Sequence, residues 1–406
     1  MQRREFLSQV GAAALLSTCG DVDLRGATLA ESNLKRLSID PASGGARAVK
    51  VGGVPLLHTP QIFAWNDRGE IGDSPSHSTQ IETAFARLVE TLKLGQSTID
   101  SIVRLHIYAT TNEIADQVRS FLNEHIPAAS RPALTYVVGQ LTEPGAVVGF
   151  DAVTVCTADP SAAARKTLLP LRKSWGRSAS HQGILWPGRK LYISGQAEKG
   201  ANLRECTRLT MESLRKTLQM FQLDMAHVVQ IKSFVTPIAG KREVEDEIGR
   251  FFETDQLPPL VHVEWKSTLP IEIELIANVP AGMSEPVEFH TPKGMTSSPV
   301  FSRVALTNSR EMIYTSGLYG KAGTGEEQVR DIFAQLRQVT AELGSDLRHL
   351  AKATYYVSDD DTSAKLNAVR PEFYDPKRPP AASKAIVTAV GKPDRSITLD
   401  MIAVPS

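Results

Sequence analysis

Two carboxylates, Glu272 and Glu274, alternate with apolar residues in Ile271-Glu272-Ile273-Glu274-Leu275-Ile276-Ala277. Side chains of an extended chain alternate between faces, so both acids share one face of a strand. A carboxylate on a half-buried sheet face costs free energy unless paired, and such groups gather where general acid/base chemistry is done. The plainer alternative is an edge strand whose glutamates are solvated. A second set is Tyr192-Ile193-Ser194-Gly195-Gln196, partly repeated in Tyr314-Thr315-Ser316-Gly317. A serine before a glycine at a strand end either lines a cleft or makes a turn. The nine histidines show no His-Glu-x-x-His spacing and the three cysteines no Cys-x-x-Cys, so no metal is expected. No Gly-x-Ser-x-Gly elbow is present. The run Gly317, Gly320, Gly323, Gly325 lacks the Gly-Lys-Ser/Thr of a phosphate loop. Nothing suggests a nucleotide, haem or flavin, and no cofactor is expected.

The elements that must position these residues show as a repeat. The windows 81–110, 207–236 and 329–358 align without a gap. Phe85, Met211 and Phe333 share one column, Leu88, Leu214 and Leu336 another, and Tyr108, Phe234 and Tyr356 a third. Ile81, Phe85, Leu88 and Leu92 trace one stripe of an amphipathic helix, after which 103–109 turns β-rich and alternating. A second helical stretch follows in each copy, carried by Val118, Phe121 and Leu122, by Val244, Ile248, Phe251 and Phe252, and by Leu366, Val369, Phe373 and Tyr374. Closing strands are expected at 147–155, 271–279 and 397–404, and two short strands before each first helix, clearest at 190–194 and 312–316.

The pattern predicts three tandem β-β-α-β-α-β modules, an α+β fold, at 47–157, 175–280 and 299–404. Residues 20–46 are expected to be a tether. The segments 158–174 and 281–298, rich in alanine and charge or in proline and glycine, are expected to be linkers. Ile271, Ile273 and Leu275 would line a sheet face left bare by the helices. Burying that face against two sister sheets, at roughly 25 cal/mol per Å² of apolar area, predicts an intramolecular pseudo-trimer and a monomeric chain.

Lys+Arg and Asp+Glu balance at 45 each, which offers no general attraction to nucleic acid, and no such partner is expected. Past the first twenty residues no apolar run approaches the roughly 20 residues that span a bilayer. The start is different. Arg3-Arg4-Glu5-Phe6-Leu7, followed by a weakly apolar 10–16, reads as a twin-arginine export signal over 1–19. Leu16-Ser17-Thr18-Cys19 is similar to a lipobox, with Thr18 in place of the usual small residue. The expectation is a bacterial protein in the periplasm, or one anchored on the outer face of the inner membrane by lipid on Cys19. Cys156 and Cys206 are expected to be buried free thiols.

From about residue 47 onward the chain resembles the RidA/YjgF deaminase family. The marks are 192–196, similar to the family's I-x-S-G-Q strand, and 271–277, similar to its closing I-E-I-E-A-I-A strand. The first copy is the most diverged, with Leu57-His58-Thr59-Pro60-Gln61 in place of the S-G-Q strand. The resemblance implies RidA-like (chorismate-mutase-like) modules with small-molecule clefts between neighbours. It places substrate contacts at Ser194, Gly195, Gln196, Glu274, Ser316, Gly317 and Asn367. The family's catalytic acid falls on Glu272, with Gly149 and Thr398 in the equivalent positions. Two residues further on each copy has a carboxylate, Asp151, Glu274 or Asp400.

The family's P-A-R segment, whose arginine holds the substrate carboxylate, matches Pro132-Ala133-Leu134, Pro259-Leu260 and Pro380-Ala381-Ala382, none with the arginine. Arg131 and Arg378 are the candidates to replace it from a shifted position. The resemblance therefore implies a deaminase or hydrolase acting on an imine or enamine, with Glu272 positioning water. The alternative is a metabolite binder that has lost the chemistry. The ribonuclease activity sometimes attached to the family is disfavoured by the zero net charge. Without the arginine a bidentate pair is lost, so neutral substrates are expected over carboxylated ones.

Overall fold

The computed structural model describes residues 33–72, 76–158, 167–172, 175, 181–253, 257–282 and 285–406. Arg3, Arg4 and Cys19 lie outside the described residues. The first copy contributes β1 (Leu34–Arg36), β2 (Ala48–Gly52), β3 (Leu56–His58), α1 (His77–Leu94), β4 (Ile102–Ala109), α2 (Asn112–His125), β5 (Ala133–Val138) and β6 (Val148–Val155). The second contributes β7 (Leu168–Pro170), β8 (His181–Leu185), β9 (Lys190–Gln196), α3 (Leu203–Met220), β10 (Val228–Val235), α4 (Lys241–Gly249), β11 (Leu260–Glu264) and β12 (Ile271–Asn278). The third contributes β13 (Val287–His290), β14 (Val304–Thr307), β15 (Glu311–Thr315), α5 (Gly325–Glu342), β16 (Leu350–Val357), α6 (Asp360–Val369), β17 (Ala381–Ile386) and β18 (Ile397–Ala403).

The helices form where polar caps precede apolar stripes. Ser76, Thr111, Asn202, Thr324 and Asp359 each accept a backbone N–H of the first turn, and at Thr324 the Glu327 side chain reciprocates. Ile81, Phe85, Leu88 and Leu92 are buried on one face of α1. Among the described residues no helix is long and apolar enough to cross a membrane. Cys156 and Cys206 are buried and free.

The six-stranded sheets do not coincide with the sequence copies. Their orders are β5-β4-β6-β3-β8-β7, β11-β10-β12-β9-β14-β13 and β17-β16-β18-β15-β2-β1. Each sheet takes four strands from one copy and two from the next. The ring closes where β2, from the start of the chain, pairs antiparallel with β15 near its end, Val51 opposite Met312. The segments read as tether and linkers are part of this arrangement. They supply the edge strands β1, β7 and β13, which pair with β2, β8 and β14. Three or four residues are too few to show a period, and Pro170 is tolerated at an edge strand's end.

One face assignment is reversed. Ile271, Ile273 and Leu275 pack under the helices with Met211, Leu214 and Val244. The inward face of β12 carries Glu272, Glu274 and Ile276 instead. Strand alternation separates the two faces but cannot say which one the helices take. The shared centre is apolar at one level, where Val51, Leu56, Val103, Val155, Val229, Ile276, Ala351 and Ile402 from all three sheets meet. The chain is thus three α+β modules closed into a pseudo-trimer, its inner face neither wholly apolar nor exposed.

Candidate functional site

Below that apolar level the inner faces turn polar. β4 presents Arg104, His106 and Tyr108; β10 presents Gln230, Lys232 and Phe234; β16 presents Lys352, Thr354 and Tyr356, all buried. Facing them are Asp151, Glu274 and Asp400 of the closing strands. Arg104 Nη1 donates to Asp400 Oδ1 at 3.1 Å, joining the first and third copies. Lys352 Nζ donates to Glu274 Oε2 at 2.6 Å, joining the third and second. The column has glutamine in the second copy, and there Asp151 is served by its own module, through His106 Nδ1 at 3.1 Å and the Tyr108 hydroxyl. His106 Nε2 also lies 3.3 Å from Asp400. Burial opposes ionisation of Asp151 and Asp400, but the His106 and Arg104 charges prevail and hold both carboxyls well below the usual carboxylate range. Glu274, expected to contact substrate, is committed to this network together with the Ser383 hydroxyl.

Glu272 lies two residues outward, where the second copy meets β17 of the third. Gly195 N donates to Ser383 Oγ at 3.1 Å across the boundary. A Cβ on Gly195 would fall 1.9 Å from Glu272 Oε1, so only glycine lets the backbone approach the acid this closely. Glu272 Oε1 is buried without a hydrogen-bond partner. Burial first, then the neighbouring Glu274 charge, pushes the Glu272 carboxyl up to about 7. Such an acid exchanges a proton near neutrality.

Lys384 and Asn367 complete the wall. Lys384 Nζ donates to Ser363 Oγ at 2.8 Å and to Asn367 Oδ1 at 3.3 Å. Ala382 leaves the arginine position empty of charge, and Lys384 brings an ammonium to the same strand face two residues on. The sequence signal for it was available, since residues i and i+2 of a strand share a face.

Several expected contacts have other tasks. The Ser194 hydroxyl accepts Ala382 N at 2.8 Å and donates to Ser302 O, riveting two modules together. Ser316 does the same with Leu134 N and Ala46 O. Gln196 turns to the helix side, its Nε2 on Thr217 Oγ1 at 3.2 Å. Arg131 ties down Gly44 O and Asn123 O, each at 2.8 Å. Arg378 holds Val287 O of β13 at 3.0 Å. Neither arginine reaches a cleft; the loop before each proline is fixed by these carbonyls.

The two sister boundaries lack the acid. Between the first and second copies, Phe63 occupies the acid's place: a Cβ on Gly149 would fall 2.6 Å from its ring. Gln61 seals that boundary with paired 3.0 Å hydrogen bonds to the His262 backbone. Between the third and first, Thr398 replaces the acid and donates to Leu318 O, and Gly317 N bonds Leu134 O at 2.9 Å. One helix–strand pair recurs in all three with different chemistry. Arg119 sits over the Tyr136 ring at 4.5 Å, Glu245 Oε1 lies 3.4 Å from His262, and Asn367 accepts from Lys384. Among the described residues no group of three or more His, Cys, Asp or Glu could hold a metal ion.

Fold and site together define a class of protein: α+β modules in a threefold ring, with small clefts at the module boundaries. The chain belongs to the endoribonuclease L-PSP family, the RidA/YjgF family, whose model matches residues 179–279 and 295–405, more than half of its length. The first copy lies outside both matched segments. Among solved structures it is similar to a YjgF-family protein of Neisseria meningitidis, 25% identical over 30% of this chain and 95% of that one, TM-score 0.23. A Rid-family protein of Yersinia pestis is 22% identical over 30% and 98%, TM-score 0.27. A YjgF/YER057c/UK114-family member of Mycobacterium tuberculosis is 20% identical over 23% and 78%, TM-score 0.22. No curated protein matches the chain.

Proposed function

We propose that the cleft between the second and third modules hydrolyses the C=N bond of a small imine or enamine, with Glu272 as general acid and base. The observation that carries this reading is the buried, unpartnered Glu272 Oε1 facing the Gly195 backbone. A carboxyl titrating near 7 gives a proton to the departing nitrogen and takes one from attacking water without a large penalty in either direction. A non-catalytic binder is the second reading, favoured by Gly149 and Thr398 standing in place of the acid at two boundaries out of three.

Glu272→Gln separates the two. Ammonia release from small imines should fall about 100-fold or more, whereas a binder's affinity for neutral ketones should change little. The same variant should be more stable than wild type above pH 7, by roughly 3 kcal/mol, because a carboxyl raised from 4.5 to about 7 is ionised there at the fold's expense. That advantage should vanish below about pH 4.5, where the acid is neutral in both folded and unfolded chains. Thermal melts at pH 4.5 and 8 read it; an equal gain at both would contradict the assignment.

We further propose export by the twin-arginine route, supported by Arg3-Arg4-Glu5-Phe6-Leu7. Changing Arg3 and Arg4 to lysine should leave the protein in the cytoplasm, as fractionation would show. Undiminished export overturns the proposal. Lipidation of Cys19 is separate, and a Cys19→Ala protein that stays with the membrane counts against it.

A further inference from the structure

Asn367 Oδ1 receives two cationic donors, Lys384 Nζ at 3.3 Å and Arg370 Nη2 at 2.9 Å. The remaining contact of Lys384, Ser363 Oγ at 2.8 Å, is a neutral hydroxyl. The ammonium is therefore held by oxygens without charge and beside another cation. Lys384 is only partly buried, and Glu272, whose charge acts on it from the neighbouring module, keeps one carboxyl oxygen buried and unpartnered. The charged groups that act on Lys384 are Arg370, Glu272 and Asp360. Burial first, then Arg370, lowers the amine from the usual lysine range, and the two acids only partly offset this. Desolvation and a neighbouring cation are the two means by which a lysine amine becomes a nucleophile.

We propose that Lys384 is a catalytic nucleophile that forms a Schiff base with the imine or carbonyl carbon of a small substrate in this cleft. The proposal rests on the reading that the cleft hydrolyses C=N bonds and states how. The neutral Nζ attacks the imine carbon, and the imine nitrogen takes the Glu272 proton. A proton then passes from Nζ to that nitrogen, the C–N bond breaks, and ammonia leaves. What remains is a protonated C=Nζ linkage beside ionised Glu272. Glu272 takes a proton from water as the hydroxide adds to the same carbon. The carbinolamine hydroxyl then gives its proton to Nζ, the C–Nζ bond breaks, and the ketone departs. Both residues return to their neutral starting forms, and no oxidant or reductant is consumed.

The full chain would be incubated with pyruvate, or with butanone as a neutral ketone, in sodium borohydride, which reduces a Schiff base to a stable secondary amine. Peptide mass mapping should find the reduced adduct on Lys384 and none there in Lys384→Met. No adduct with either probe, or adducts spread equally over exposed lysines such as Lys266 and Lys377, would overturn the proposal. Lys384→Arg keeps the charge but cannot form the linkage, and its ammonia release should drop by roughly two orders of magnitude. If it stays within about threefold of wild type, the lysine supplies charge alone and the nucleophile is refuted while hydrolysis by Glu272 stands. If wild type traps pyruvate on Lys384 yet releases no ammonia from any imine, the hydrolase reading fails and the nucleophile stands.

Discussion

Asp400→Ala should destabilise the fold by about 3–5 kcal/mol, the cost of leaving buried charge without its partner. Arg104 and His106 are 5% and 1% exposed, and both address Asp400. Arg104 Nε already lacks a partner, so losing Asp400 leaves the buried guanidinium further short of hydrogen bonds. The surface pair of Arg330 with Glu372 is shorter, 2.8 Å against 3.1 Å for Arg104 with Asp400, yet Arg330→Ala should cost under about 1 kcal/mol, because water takes over. Urea midpoints of the two variants make the comparison, and equal losses would contradict a buried network.

The network also shapes the pH response. Asp151 and Asp400 are depressed, so their contribution is present above the usual carboxylate range and lost only in strong acid. His58 behaves oppositely to Glu272. The Gln230 amide donates to Thr59 O and so turns its oxygen to His58 Nδ1, 3.1 Å away, which leaves Nε2 bare. Burial lowers that imidazole from 6.5 to about 4. Between those values the unfolded chain binds the extra proton, so stability falls as pH drops, by roughly 3 kcal/mol in full. Glu272 gains about as much over nearly the same range, and the two slopes largely cancel in wild type. Glu272→Gln should therefore expose a loss of stability from pH 6.5 to 4, and a flat profile in that variant would count against His58 being neutral.

Removing residues 1–54 should be the most damaging change. It strips β1 and β2 from the third sheet, exposes the β15 edge and uncovers a centre that Ala46, Ala48, Val49 and Val51 bury completely or nearly so. Each valine alone is worth about 1.5–3 kcal/mol of burial, and an open hydrophobic edge pairs with other chains. Light scattering should change from one intact chain to multimers or aggregate, and near-UV dichroism should weaken. A synthetic peptide covering 30–54 should restore the monomer. A truncated chain that stays monomeric with an unaltered melting temperature would mean that the ring does not need closing.

The core helices and central strands were legible because their stripes are long: Ile81 to Leu92 and the shared columns of Phe85, Leu88 and Tyr108 admit one reading. The exchange of strands between copies was not, since β2 and β3 read equally well as a simple hairpin and no local signal marks the partner. Which face of β12 met the helices was hidden for a related reason, as alternation is symmetric. At the site, Glu272 stood out as an acid among apolar neighbours. The backbone contacts of Ser194 and Ser316 were not legible, because a hydroxyl that rivets two backbones has the same letter as one that meets a ligand. Lys384 is marked in the sequence only by strand parity, as the residue two beyond Ala382, and not by any motif around the proline.

The clasp between β2 and β15 also sets a schedule for synthesis. Val51 emerges from the ribosome roughly 260 residues before Met312, its partner. At about 5–20 residues per second that is roughly 15–50 s. Throughout that interval the strand can fold back on β3, only a short turn away, and a nearby contact closes far sooner than a distant one. Once formed, that hairpin would leave the last sheet unfinished and the ring open. A cell making this protein must either keep its first fifty residues occupied or rely on the hairpin being weak enough to reopen.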